Sequence, residues 1–330
     1  MLEPFASLAQ RQDGRSLKRV SRIHQLILDI GVDAARKDAE SKEERKCIDI
    51  ASHVMGDERQ TFAFIHSGFA VTSLPHREFV DPVYERAGGP NGEFILHVES
   101  GKGLDKLPIG IPFGAPARLL LIHMASEAKK NNSPIIDMGA GVTAFMRRIG
   151  VTVGGRNAEL YREQFKRIAL CRLTFFEKSE RHTTIQNGSF IKRARVLNED
   201  CGGGVEWQDT VELDDSFYQS FQKHPLPLLE SALHQLSGSS LALDIYVFLA
   251  YRLRSLEKPT LVPWPRLHEQ FGAGYSTLKA FKARFGAPLS QAMAAYPEAN
   301  AVLDTRGLMM HPSDSPVRSL VGRTGRLRIA

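Results

Sequence analysis

Apolar positions recur along the chain at helix and strand spacing, and the elements they predict come twice in the same order. In the first pass an apolar helix opens with Ala115-Pro116-Ala117-Arg118-Leu119-Leu120-Leu121-Ile122 and gives way to a short strand, Pro134-Ile135-Ile136-Asp137. A second helix, Thr143 to Ile149, stops at Gly150, and a basic helix, Glu159 to Leu170, leads into the strand Arg172 to Phe176. The second pass has a helix over Leu241 to Leu253, an extended segment from Pro259 to Trp264 and a helix from Arg266 to Phe271 that stops at Gly272. A basic helix, Tyr275 to Phe285, follows; Phe285-Gly286-Ala287-Pro288 is expected to end it. Two short strands, Ala301 to Leu303 and Leu308 to Met310, close the pass around Thr305-Arg306-Gly307. Helix, strand, helix, basic helix and hairpin is the element order of a winged helix. The expected fold class is therefore α+β, with two tandem winged helices.

The flanking pattern divides the rest. Residues 1–45 are polar and basic, with one amphipathic stretch at Ile23, Leu26, Ile27 and Ile30. Over 46–112 short β-like runs, Thr61 to Ile65 and Glu93 to Val98, alternate with Gly and Pro signals, as in a small β-rich accessory segment. The first winged helix is expected over 113–224 and the second over 225–317, with a boundary at His224 to Pro227. Between them Thr183 to Val196 reads as the first wing, and Thr210 to Phe221 as a strand giving way to a helix. Residues 318–330 form a basic tail able to touch phosphates.

Charge bears on the partner. A formal net charge of +6 and a pI near 9.2 favour an acidic one, and two of the predicted helices are basic on one side. On the first, Ala158, Tyr161, Phe165 and Ile168 repeat at steps of three and four, leaving Arg162, Lys166 and Arg167 on the other side and Arg156 and Asn157 at the start. A recognition helix needs that division, one face anchored and the other offering donors to base edges and phosphates. Arg156, Asn157 and Arg162 are the candidates for reading bases, because Arg suits guanine and Asn adenine. The second helix directs Tyr275, Leu278, Phe281 and Phe285 inward, and Ser276, Thr277, Lys279, Lys282 and Arg284 outward. Lys192, Arg193 and Arg195, on a strand bounded by a turn at Asn187-Gly188, would follow the phosphate backbone as a wing does. The competing reading of each is a solvated charged surface.

Catalytic and metal chemistry find less support. Ile135-Ile136-Asp137-Met138-Gly139-Ala140-Gly141-Val142-Thr143-Ala144 has the strand, glycine turn and helix start of a dinucleotide or S-adenosylmethionine site, yet no acidic residue ends a next strand about 20 residues on. Ser100-Gly101-Lys102-Gly103 lacks the glycine spacing and the Ser or Thr of a phosphate loop. Cys47, Cys171 and Cys201 are too widely spaced for a zinc cluster, and the histidines show no paired-ligand spacing. No catalytic residue, metal or cofactor is expected. Nor does the sequence contain a secretory leader or a run of about 18 apolar residues, so a cytoplasmic protein is expected.

The run Leu107-Pro108-Ile109-Gly110-Ile111-Pro112-Phe113-Gly114-Ala115-Pro116-Ala117-Arg118, with Ala144-Phe145-Met146-Arg147-Arg148-Ile149-Gly150 and Gly154-Gly155-Arg156, resembles the plasmid-encoded RepA-type replication initiators. Phe62 to Phe69, Ala242-Leu243-Asp244-Ile245-Tyr246 and Gln270-Phe271-Gly272-Ala273 extend the resemblance over about Phe62 to Pro316. It implies binding to double-stranded DNA at origin direct repeats (iterons), melting of an adjacent AT-rich stretch, and recruitment of the host initiator and replicative helicase. Such initiators also repress their own gene as dimers, which adds a homodimer to the expected partners. Two winged helices on one chain would read successive major grooves about 10 to 10.5 base pairs apart. The alternatives are a winged-helix repressor with no part in replication and a methyltransferase using Gly139 and Gly141.

Overall fold

The computed structural model describes residues 22–89, 92–194 and 210–317. The basic ends 1–21 and 318–330, the glycine run at 202–204 and Arg195 lie outside the described residues. The chain divides into two compact units, one of 1–62 with 228–330 and the other of 63–227.

In chain order the first unit opens with helices α1 (22–30), α2 (Val32–Asp38) and α3 (Lys42–Met55) and leaves in strand β1 (Phe62–His66). The second unit holds α4 (Gly68–Val71), β2 (Val83–Gly88), β3 (Phe94–Glu99), α5 (Gly114–Asn131), β4 (Ile135–Asp137), α6 (Val142–Arg148) and α7 (Gly155–Leu170). It continues with β5 (Arg172–Lys178), β6 (Thr183–Gly188), β7 (Ile191–Arg193), β8 (Thr210–Leu213) and α8 (Asp215–Lys223), and the chain returns in β9 (Pro225–Leu229). The first unit resumes with α9 (Glu230–Leu236), α10 (Ser240–Arg252), β10 (Thr260–Pro263), α11 (Trp264–Phe271), α12 (Leu278–Ala294), β11 (Ala301–Leu303) and β12 (Gly307–Met310). Helices and strands are thus mixed, as an α+β fold requires.

In the second unit α5 is buried on nearly every side, from Ala115 to Ala128, and packs against α7. The unit holds two antiparallel sheets. The four-stranded sheet runs β2-β3-β5-β6, and the three-stranded one runs β4-β8-β7. The latter corrects the expected first wing. Thr183 to Val196 is not one arm: β6 pairs along β5, where Asn187 and Gly188 stand opposite Thr174 and Leu173, whereas β7 pairs with β8. Asn187-Gly188 is therefore the end of a ladder and not a turn.

His66 fixes one corner of this unit. Its ring stacks on Phe175 and Phe217 and meets His224 edge-on. Nδ1 accepts from the Gly68 N–H at 2.9 Å, which leaves Nε2–H to donate to Ser220 Oγ at 3.0 Å. Burial, and then the neighbouring His224, push the imidazole down to about 4. An unfolded histidine takes its proton near 6.5, so the neutral ring contributes full stability above that pH and loses it as the pH falls towards 4. The second unit should lose up to about 3 kcal/mol over that window. Urea midpoints at a series of pH values measure it, and an equally steep slope in His66→Asn would show that another group is responsible.

In the first unit α10 and α12 pack together and α3 lies on α12. Lys46 Nζ donates to Gln291 Oε1 at 3.1 Å, and Gln291 Nε2 donates to Glu43 Oε1 at 2.7 Å. The core is aromatic, with Trp264, Phe271, Phe281 and Phe285 all buried and in edge or tilted contact. Each fully buried ring contributes about 1.5–3 kcal/mol by transfer alone. The expected stop at Pro288 does not occur, because α12 runs through it to Ala294. Leu289, Ala292 and Met293 beyond the proline are buried, and their burial offsets the lost backbone bond.

The three-stranded sheet here runs β10-β12-β11, with Pro263 opposite Gly307 and Leu303 opposite Leu308. Gly307 has φ +157, and a Cβ there would lie 2.1 Å from the Val262 carbonyl oxygen. Gly307→Ala should therefore destabilise the first unit by about 2 kcal/mol or more. Chemical denaturation followed by circular dichroism measures this, and an unchanged midpoint would mean that the β10-β12 contact is looser than described.

Candidate nucleic-acid interface

The start of α7 is shaped by glycine. Gly150 (φ +71) ends α6, and Gly154 and Gly155 open α7, where an added Cβ would meet nothing within 4 Å. Behind that opening Ala158, Tyr161, Phe165 and Ile168 are buried as the spacing predicts, with Tyr161 edge-on to Phe145 at 5.8 Å. Arg156 and Asn157 are exposed, and Arg162 and Lys166 are half-buried at the rim of the same side. Asn157 Nδ2 donates to the Thr152 carbonyl at 3.0 Å, which holds the amide across the helix start. Arg147, exposed on α6, is a further cation that the sequence reading passed over; its place at the end of a short basic helix was the available signal.

Arg167 is a correction. Predicted on the outer side, it is only 6% exposed, over the Phe113 ring at 4.9 Å. Its guanidinium donates to the Ile111 carbonyl at 3.2 Å, to Glu78 at 2.7 Å and to Glu163 one turn back. Gly110, at φ +100, makes room for it, since a Cβ there would come within 2.6 Å of Nη1. A guanidinium enclosed in this way fixes the chain before α5 onto α7 and is turned away from solvent.

On β7 the two described wing cations face carboxylates. Lys192 Nζ lies 2.9 Å from Asp215 and 3.2 Å from Glu212, and Arg193 lies 3.7 Å from Glu212. Hydrogen bonding to Asp215, then to Glu212, holds the lysine above its ordinary range. The Lys192 ammonium is open to solvent, so Lys192→Ala should leave the midpoint of a thermal melt within the range of ordinary surface substitutions. A larger drop would give the pair a structural role that exposed ion pairs rarely have.

In the first unit α12 begins at Leu278, so Ser276 and Thr277 precede the helix, and Thr277 Oγ1 caps it by accepting from the Ala280 N–H at 3.2 Å. Lys279 and Arg284 are exposed; Lys282 is half-buried, with its ammonium 5.2 Å from the Trp264 ring centre. Tyr275 is half-buried against Phe281 at 5.6 Å. The β11-β12 hairpin carries Arg306, 66% exposed, at its tip. Asp304 Oδ1 accepts from the Arg306 and Gly307 N–H groups and Oδ2 from the guanidinium at 3.1 Å. In the sequence Arg306 is plain turn, and the signal for its place is the Asp304-to-Gly307 spacing of an Asp-nucleated turn.

The glycine-rich turn is a local device. Asp137 Oδ1 accepts from the Gly139 N–H at 2.7 Å, and Gly139 and Gly141 supply the positive φ values of +81 and +150. Strand β4 lies antiparallel to β8, not in the parallel sheet of a dinucleotide fold. Among the described residues no group of three or more His, Cys, Asp or Glu side chains is placed to hold a metal ion, and no helix is long and apolar enough to cross a membrane.

One segment, from Ile111 just before α5 to Leu261 inside β10, matches a known family. Residues 111–261 match the family described as plasmid encoded RepA protein. The resemblance read from the sequence is thus borne out over that segment, within the wider span on which it was drawn. No curated protein matches the chain. Two crystal structures of domains 2 and 3 of RctB are similar to it. One, of selenomethionine derivatives, has a TM-score of 0.43 at 12% identity over 66% of this chain and 81% of that one. The other has a TM-score of 0.45 at 11% identity over 71% of this chain and 86% of that one.

Proposed function

We propose that the chain is a plasmid replication initiator that binds direct repeats of origin DNA through two winged helices and promotes opening of the adjacent duplex. The observation that carries this reading is the shared plan of the two units. Each has a long buried helix, a short strand, two helices of which the second is basic on one side, and two later strands that join the short one, which in the second unit follow an intervening β5-β6 hairpin. The strand order is first, last, middle in both: β4-β8-β7 and β10-β12-β11. In this reading α7 and α12 are the recognition helices, the β7-β8 and β11-β12 arms are the wings, and the modules fall within 113–224 and 225–317. The family match over 111–261 supports replication as the setting.

Base reading then falls to Arg156, Asn157 and Arg162 in the first module and Ser276, Lys279 and Arg284 in the second. Lys166 and Lys282 take phosphates, and the wings add backbone contacts that carry little sequence information. Two modules on one chain gain from effective concentration, so each can be weak by itself. Recruitment of the host initiator and helicase, and repression as a homodimer, belong to the same proposal. Footprinting on DNA around the gene at two salt concentrations tests it. Regularly spaced protection of direct repeats that weakens steeply with salt is expected; protection no better than on random DNA would reject it.

A further inference from the structure

The four-stranded sheet of the second unit has one covered face and one open face. Tyr84, Leu96, Val98 and Leu173 point into the core and are buried. The pleat sends their neighbours the other way, and the register aligns Ala87, Ile95, Phe176 and Ile185 in a single row across all four strands. Ile185 is 58% exposed, and Phe176 and Ile95 are half-buried. The next row holds Glu85, His97, Thr174 and Asn187, with Thr174 Oγ1 donating to Asn187 Oδ1 at 2.9 Å.

Charge is sorted on this face. The carboxylates gather on the β2-β3 half, where Glu99 and Glu85 lie 3.2 and 3.7 Å from the His97 ring nitrogens. The β5-β6 half carries cations instead: Arg172 and Lys178 at the two ends of β5, both exposed, and Arg181 at the hairpin tip beside Glu180. Strand β5 therefore presents Arg172, Thr174, Phe176 and Lys178 in line, roughly 20 Å of cation, hydroxyl, ring and cation.

We infer that the β5-β6 half of this open face binds single-stranded DNA, with a base stacked on Phe176 and the phosphates held by Arg172, Lys178 and Arg181. An apolar row one residue wide, bounded by cations and hydrogen-bonding side chains, is a poor seat for a protein helix. It matches the alternation of a nucleic-acid strand, whose bases need a flat apolar partner and whose phosphates need cations. Only unstacked bases can reach such a platform, because a duplex keeps its base faces inside. The choice of DNA over RNA rests on the initiator reading, in which a melted strand is the product of repeat binding.

The test uses the full chain and fluorescein-labelled oligo-dT of about 20 nucleotides, oligo-rU of the same length and duplex direct repeats, read by anisotropy. Wild type should bind oligo-dT, and Phe176→Ala and the volume-keeping Phe176→Leu should each weaken that binding about tenfold or more with repeat binding unchanged. Lys178→Ala with Arg181→Ala should lower oligo-dT affinity and its salt slope together. No oligo-dT binding by wild type, unchanged binding in the Phe176 variants, or tighter binding of oligo-rU would each overturn the assignment. Loss of repeat recognition with Phe176-dependent oligo-dT binding intact would reject the initiator reading alone.

Discussion

Arg156→Ala combined with Arg162→Ala is expected to weaken binding to duplex repeats by about a hundredfold or more, since a good base-edge contact discriminates by about 1–3 kcal/mol. Both side chains stand on the solvent side of α7, Arg156 exposed and Arg162 half-buried, while the residues that hold the helix face the other way. The melting temperature should therefore stay within the small range of surface substitutions. Each variant has its own signature in a titration over salt. Removing a base-reading arginine relaxes specificity at one position, whereas Lys166→Ala weakens all sequences alike and lowers the salt slope by about one. Equal affinity of wild type and double variant for the repeats would take α7 out of the interface.

Arg167→Ala should act in the opposite manner, destabilising the second unit by about 3 kcal/mol and affecting DNA only through folding. The substitution strips the buried Ile111 carbonyl of its donor and uncovers the half-buried Phe113 ring. The two carboxylates contribute less than a buried pair would, because Glu78 is 65% and Glu163 46% exposed and water can replace the guanidinium. Arg167→Lys should recover only part of the loss, since a single ammonium nitrogen cannot stand both where Nη1 meets the Ile111 carbonyl and where Nη2 meets the two carboxylates. Thermal or urea denaturation decides the matter. A variant as stable as wild type that nonetheless fails to bind DNA would return Arg167 to the recognition surface.

These two arginines also mark where the sequence stopped being legible. Helical spacing was enough to place α5, α7 and α10, and to assign Ala158, Tyr161, Phe165 and Ile168 to the core, because a period of three and four is a local property. Whether Arg167 faced water was decided by Glu78, Ile111 and Phe113, far away in the chain, and no local pattern carries that. The first wing failed for the same reason: β4 chose β8, beyond two helices and the β5-β6 hairpin, over the nearer strand β5. At Pro288 a sound local rule lost to tertiary packing, since Leu289, Ala292 and Met293 bury what the proline cannot bond. The strand pairing that makes the two units comparable thus became visible only in three dimensions. The basic side of each helix did not need it.

The first unit is built from segments on either side of the second, with α3 lying on α12 and His24 Nε2 reaching the Ala294 carbonyl at 2.9 Å. On a ribosome its opening helices emerge early and must wait, without their partners, until the whole of the second unit and α12 have been made. The intervening unit can complete its own core meanwhile, so synthesis favours an order in which the second unit matures before the first.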